Sequence, residues 1–127
     1  MRTGIHTDSA PAAIGPYSQA IRSGQLLFVS GQVPLDPANG TLADGDIVVQ
    51  THRVMRNLAE ILGAAGASFN DVVKTTIFLT DLDDFAAMNK VYASYVGTPA
   101  PARATIQVAR LPMGAKVEID AIAALPA

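Results

Sequence analysis

The sequence predicts an α+β domain in which two helices cover one face of a mixed sheet. Three observations carry that prediction. Segments of alternating and of helical apolar period follow one another in the order β-β-α-β-α-β-β. No repeat, low-complexity tract or interior linker divides the chain, and its 127 residues fit one domain, 1–127, of ordinary size. Hydrophobic residues make up 50% of it and charged residues 16%, against about 25% charged in an average soluble domain, so part of the surface is expected to lie between copies of the chain. A sheet covered on one face leaves the other needing a partner.

Residues 1–16 read as an extended arm, since Pro11 and Pro16 interrupt any helix and Gly15-Pro16 punctuates the end. Tyr17–Arg22 and Leu26–Ser30 follow as two strands of a hairpin across Ser23-Gly24-Gln25. From Gly31 to Asp46 the chain is rich in Pro, Asp, Gly and Asn and reads as a loop. Val54, Met55, Leu58, Ile61, Leu62 and Ala65 then recur at helical steps over Ile47–Ala65, with Asp46 as N-cap and Gly63 or Gly66 as the stop. Val72–Leu79, rich in β-branched residues, reads as a central strand. Asp81, Asp83 and Asp84 crowd the start of a second helix, whose buried stripe runs through Phe85, Met88, Tyr92 and Tyr95 or Val96. After the break at Gly97–Pro101, Arg103–Ala109 and Lys116–Ala124 read as two more strands around Leu111-Pro112-Met113-Gly114.

The absence of cysteine excludes a disulfide framework, a thiolate metal site and a cysteine nucleophile. His6 and His52, the only imidazoles, lie far apart without metal-ligand spacing, so no metal is expected. A net charge of −2 with no Lys/Arg cluster argues against nucleic acid as a partner. The N-terminus offers no apolar signal core and no run approaches the roughly 20 apolar residues of a membrane span, so a soluble cytoplasmic protein is expected, without membrane association. No Gly-x-Gly-x-x-Gly or Walker-type loop occurs to cradle a nucleotide cofactor. Gly63-Ala64-Ala65-Gly66 fits a Gly-x-x-Gly pattern of nucleic-acid modules, but it closes an apolar helix without basic flanks and reads as a helix stop.

Arg103 follows Thr98-Pro99-Ala100-Pro101-Ala102, a stiff approach that holds its backbone at the mouth of a strand. Its planar fork suits a carboxylate ligand, and a structural ion pair or a solvated strand end is the competing reading. Alternation places Arg103 and Thr105 on one face and Ile106 and Val108 on the other, so that one face packs and the other is free to bind. Glu118 and Asp120 alternate with Val117, Ile119 and Ala121. A carboxylate there either positions water and relays a proton, or is an edge charge in solvent. Asn89, four residues after Phe85 and three before Tyr92, needs a defined amide partner, from a loop backbone or a ligand. Lys74 in the central strand is either a desolvated base or, more simply, a lysine reaching solvent or an aspartate.

Taken in order, Ile14-Gly15-Pro16-Tyr17-Ser18-Gln19-Ala20, Ser30-Gly31-Gln32, Val73-Lys74-Thr75-Thr76, Pro101-Ala102-Arg103 and Val117-Glu118-Ile119 resemble the RidA family, also called YjgF. Gln50-Thr51, Asn57-Leu58, Asp81, Phe85, Asn89, Tyr92 and Leu111-Pro112 extend the resemblance over nearly the whole chain. The resemblance implies a chorismate-mutase-like α+β fold and a homotrimer whose sheets line a central barrel, with sites at subunit interfaces. It also implies hydrolysis of 2-iminopropanoate and 2-iminobutanoate, by-products of pyridoxal-phosphate dehydratases, to 2-oxo acids and ammonia without a cofactor.

By the same resemblance Arg103 clamps the carboxylate of a small imino or 2-oxo acid, and Glu118 positions water and shuttles its proton. Tyr17 walls the pocket, Ser30 and Gly31 line it, and Asn89 is a pocket-side group. Thr105 stands where many members carry cysteine and use the backbone to bond the imine, so the side-chain change is expected to be tolerated. Ala104, where serine is frequent, and Tyr95-Val96, where an aromatic pair is common, bear on substrate range. A different class of function remains beside it: a non-catalytic sensor or interaction protein that binds small carboxylates on the same scaffold. A sensor needs only Arg103; retention of Glu118 favours catalysis.

Overall fold

The structure, a computed structural model, describes residues 1–126. Its strands are β1 (Arg2–Ile5), β2 (Ala20–Ser23), β3 (Leu26–Gln32), β4 (Val72–Leu79), β5 (Ala102–Gln107) and β6 (Val117–Ala124), and its α-helices are α1 (Ile47–Ala64) and α2 (Phe85–Ala93). The six strands form one sheet in the order β1-β2-β3-β6-β4-β5, in which only β4 and β5 run parallel. The predicted helix-and-strand succession holds, with one strand added.

That strand is β1, inside the segment read as an arm. Its residues pair antiparallel with β2, Arg2 opposite Ser23 and Ile5 opposite Ala20. The outer edge of β2 offers unsatisfied backbone groups, and the arm satisfies them. Gln19, fully buried, ties down the rest of the arm: its amide donates to the carbonyls of Thr7 (3.0 Å) and Pro11 (2.8 Å), and its oxygen accepts from the Thr7 N–H (2.8 Å). β2 begins at Ala20, because Tyr17 N–H turns back to the Gly15 carbonyl (2.9 Å). The hairpin loop is Gly24-Gln25, with Gly24 at φ 62°, the left-handed geometry that tight hairpins require.

Helix α1 starts where Asp46 accepts the Val49 N–H (3.1 Å). It runs through Gly63 and stops at Gly66, at φ 77°. There the Ala67 N–H reaches the Leu62 carbonyl (2.8 Å) and the Gly66 N–H the Gly63 carbonyl (3.0 Å), the paired bonds of a Schellman end. Its inner stripe, Val54, Leu58, Ile61 and Leu62, packs with Met88 of α2 and with Ile77, Leu79, Val117 and Ile119 of the sheet, all fully buried. Each such side chain contributes about 1.5–3 kcal/mol on burial. Among the described residues no helix is long and apolar enough to cross a membrane.

Register decides which residues share a face, since residues directly opposite in a sheet point the same way. Thr75 lies opposite Arg103 and Ala121, Ile77 opposite Thr105 and Ile119, and Leu79 opposite Val117. This set faces the helices. Phe78 lies opposite Ile106 and Glu118, Thr76 opposite Ala104 and Asp120, and Phe28 opposite Ile122. This second set faces away, and there Leu26, Phe28 and Ile106 stay 43%, 44% and 45% exposed.

Candidate active site

The residues singled out in the sequence fall into two groups, one on each side of the sheet. The first surrounds Arg103. β5 is an edge strand, and its Arg103 meets the rings of Phe85 and Tyr92 on α2. The Arg103 guanidinium carbon lies 5.1 Å from the centre of the Tyr92 ring and 5.5 Å from that of Phe85. Two aromatic faces attract the cation without neutralising it and leave its donor edge for a carboxylate. Tyr92 is itself fixed by a 2.7 Å hydrogen bond between its hydroxyl and that of Thr75, the residue opposite Arg103 on β4. No ion pair to Arg103 occurs among the described residues, which removes the salt-bridge reading.

Two expectations are corrected here. Arg103 and Thr105 lie on the helix-facing side, and it is Ile106 that faces away, exposed; the packing and binding sides of β5 are thus the reverse of the simple alternation reading. Phe85 is 39% exposed rather than buried, because it sits at the rim under Arg103. Asn89, between Phe85 and Tyr92 on the same side of α2, has its amide oxygen buried without a hydrogen-bond partner, and so does the Thr105 hydroxyl. The defined partner expected for Asn89 is absent within the chain among the described residues. A buried polar atom left unpaired costs about 1–3 kcal/mol.

The second group surrounds Glu118. β6 is central, between β3 and β4, so Glu118 and Asp120 are not the edge charges of the simpler reading. Both are only partly exposed. β3 carries an extra residue between Val29 and Gln32 relative to β6, a bulge at Ser30-Gly31. The bulge brings the Gly31 backbone against the Glu118 carboxylate so closely that a Cβ at Gly31 would collide with the carboxylate oxygen. Glycine is required there by close approach. Burial, and after it the charge of Asp120, hold the Glu118 carboxyl above the ordinary glutamate range.

The Ser30 hydroxyl donates to the Ser18 carbonyl (2.6 Å) and its N–H to the Gln19 carbonyl (3.0 Å), so Ser30 shapes the wall and its donor is already spent. Next to it lies a cavity of about 560 Å³ lined by Tyr17, Ser18, Phe28 and Ser30 among others. Tyr17 is half exposed, and its hydroxyl accepts the Ile14 N–H (3.3 Å). Lys74, partly buried on the outward side opposite Ile122, makes no ion pair among the described residues, so its aspartate partner in the plainer reading is missing.

Arg103, Asn89 and Thr105 therefore gather on one side of the sheet, and Tyr17, Ser30, Gly31 and Glu118 on the other. Sequence reasoning missed the platform of Phe85 and Tyr92 under Arg103. Their seven-residue spacing was visible, but it reads equally as a core stripe.

Comparisons with known proteins give the family of the chain. The family model described as Endoribonuclease L-PSP matches residues 7–125. A Mus musculus protein named 2-iminobutanoate/2-iminopropanoate deaminase is 51% identical over 97% of this chain and 91% of its own length. The crystal structure of RidA from the Antarctic bacterium Psychrobacter sp. superposes with a TM-score of 0.93 at 46% identity, covering 97% of this chain and 99% of that one. That of E. coli TdcF with bound serine gives 0.92 at 41% identity, covering 98% and 99%. With its motifs, sheet order and near-complete match in agreement, the chain belongs to the Endoribonuclease L-PSP family, that of the RidA/YjgF proteins.

Proposed function

We propose that this chain hydrolyses 2-imino acids, 2-iminopropanoate and 2-iminobutanoate among them, to 2-oxo acids and ammonia, as a cofactor-independent deaminase. The observation that carries the reading is the division of the site. A carboxylate-binding cation on aromatic rings lies on one side of the sheet and a partly desolvated carboxyl beside a glycine bulge on the other. One chain cannot bring them together, and two copies can. The assembly proposed is a homotrimer with the outward sheet faces lining a central barrel, each copy acting as one domain and each interface joining Arg103 of one copy to Glu118 of the next. A cytoplasmic setting fits a scavenger of metabolic imines.

In this arrangement Arg103 binds the substrate carboxylate, a charge-assisted contact of about 1.5–3 kcal/mol that also fixes orientation. Tyr17 and the Ser30-Gly31 bulge bound the pocket, and Asn89 and Thr105 present polar atoms near Arg103. Glu118 takes a proton from water as its oxygen bonds to C2 of the protonated imine. It returns that proton to nitrogen and then takes the proton of the carbinolamine hydroxyl as the C–N bond breaks and the C=O bond forms, so ammonia leaves and a 2-oxo acid remains. A carboxyl held above its ordinary range is suited to giving as well as taking that proton. The mouse relative's name and TdcF's bound serine, a small amino acid with a carboxylate, support this substrate class.

The test follows decay of 2-iminopropanoate and 2-iminobutanoate, generated in situ by a dehydratase, with the parent protein and Glu118→Ala. Decay accelerated by the parent and not by the variant is the expected result. Decay no faster than in buffer, from folded oligomer, rejects the deaminase and leaves a carboxylate-binding protein.

A further inference from the structure

The mechanism above uses Glu118 and leaves its neighbour unexplained. Asp120 lies two residues along β6, on the same outward side and about 6.6 Å away along the strand. Both carboxyls are partly buried. Asp120 is held in place, because its Oδ1 accepts the backbone N–H of Thr76 (3.1 Å), the residue opposite it on β4.

The surroundings of the pair are otherwise poor in charge. On β4 the facing side chains are Phe78, Thr76 and Lys74, and on β3 Phe28 and the Ser30-Gly31 bulge. Tyr17 and Arg2 line the cavity beyond Ser30. Lys116 precedes Glu118 by two residues and is exposed. None of Arg2, Lys74 and Lys116 lies within 4.0 Å of a carboxylate oxygen among the described residues. In the proposed assembly the Arg103 of the adjacent copy faces Glu118, and the substrate's carboxylate occupies it.

We propose that Asp120 is a positioning residue for the deamination, a fixed negative charge that governs when Glu118 takes and gives its proton. The inference rests on the deaminase reading and deepens it. The Coulomb effect of Asp120 on Glu118 acts in the required direction, favouring the protonated carboxyl. Fixing by a backbone amide matters, because a mobile carboxylate would swing into solvent and lose its effect to screening.

Asp120→Asn separates charge from structure, since the amide oxygen still accepts the Thr76 N–H. The chain has two glutamates, Glu60 and Glu118, so glutamate labelled with ¹³C at its carboxyl gives two resonances, assigned with Glu60→Gln. The Glu118 resonance is expected to titrate at lower pH in Asp120→Asn than in the parent, with oligomer mass and thermal midpoint retained. The acid limb of kcat/KM against pH, which reads the free enzyme, is expected to move down by the same amount, and Asp120→Glu to restore both. A Glu118 midpoint unchanged in Asp120→Asn overturns the proposal, as does an acid limb that stays put in an active enzyme. A parent protein without imine turnover overturns the deaminase reading itself and with it any part for Asp120 in that reaction, while the titration still reports the coupling of the two carboxyls.

Discussion

The two sides of the sheet differ in how they hold their functional groups. On the helix side, Arg103 rests on the rings of Tyr92 and Phe85, and Tyr92 is pinned by Thr75; the cation is set by side-chain packing from a neighbouring element. On the outward side, Glu118 is set by backbone: a bulge in β3 presses Gly31 against it, and Asp120 beside it is tied to a Thr76 amide. In the proposed reaction the first half binds charge and the second moves protons. They are separated by the sheet itself, and the proposed deaminase therefore needs two copies of the chain to complete one site.

The sharpest way to break that comparison is complementation. Arg103→Ala and Glu118→Ala are each expected to abolish imine turnover, yet unfolding and refolding the two together should restore it. In randomly mixed cyclic assemblies about a quarter of the interfaces join an intact Arg103 to an intact Glu118, and activity should recover to roughly that fraction of the parent's. Mixed oligomers, verified by mass, that stay inactive would show that both residues act from one chain.

A smaller effect probes the outward half alone. Gly31→Ala places a methyl where the Glu118 carboxylate lies, so the carboxylate must move or the bulge must open. We expect kcat to fall at least tenfold, about 1.4 kcal/mol in the barrier, with KM for the imine changing far less because Arg103 still binds its carboxylate. Steady-state kinetics on the folded oligomer read the split, and a loss confined to KM would move Gly31 from the proton-transfer half to the binding half.

The smallest effect is on stability. Folding raises the Glu118 pKa, so the protonated carboxyl is the form that the fold favours. The stability it contributes is present below the unfolded-state pKa and is lost as pH rises through the folded one. Glu118→Gln, which mimics the protonated form, should therefore unfold at a higher temperature than the parent at neutral pH, with the gap closing in acid. Thermal midpoints across pH check this, and a gap that is constant or widens in acid contradicts the burial argument.

Much of this was legible in the sequence. The alternation of Val117, Ile119 and Ala121 with Glu118 and Asp120 told which side of β6 is buried, and the cap at Asp46 and the stop at Gly66 bounded α1. The motifs around Tyr17, Ser30, Arg103 and Glu118 pointed to the family before any coordinate. These are local signals, written within one turn or one strand, where period and side-chain chemistry act at short range.

Tertiary structure decided the rest. Whether the first residues hang free or pair as β1 depends on an open edge at β2. Which side Arg103 takes relative to Glu118 depends on the register of β5 on β4 and of β4 on β6, and that Gly31 meets Glu118 depends on a bulge between strands nearly ninety residues apart. Alternation sorts the residues of one strand into two faces but cannot say which face of one strand matches which face of another. That matching is fixed by backbone hydrogen bonds and by the common demand of several strands to bury their apolar side under the same two helices.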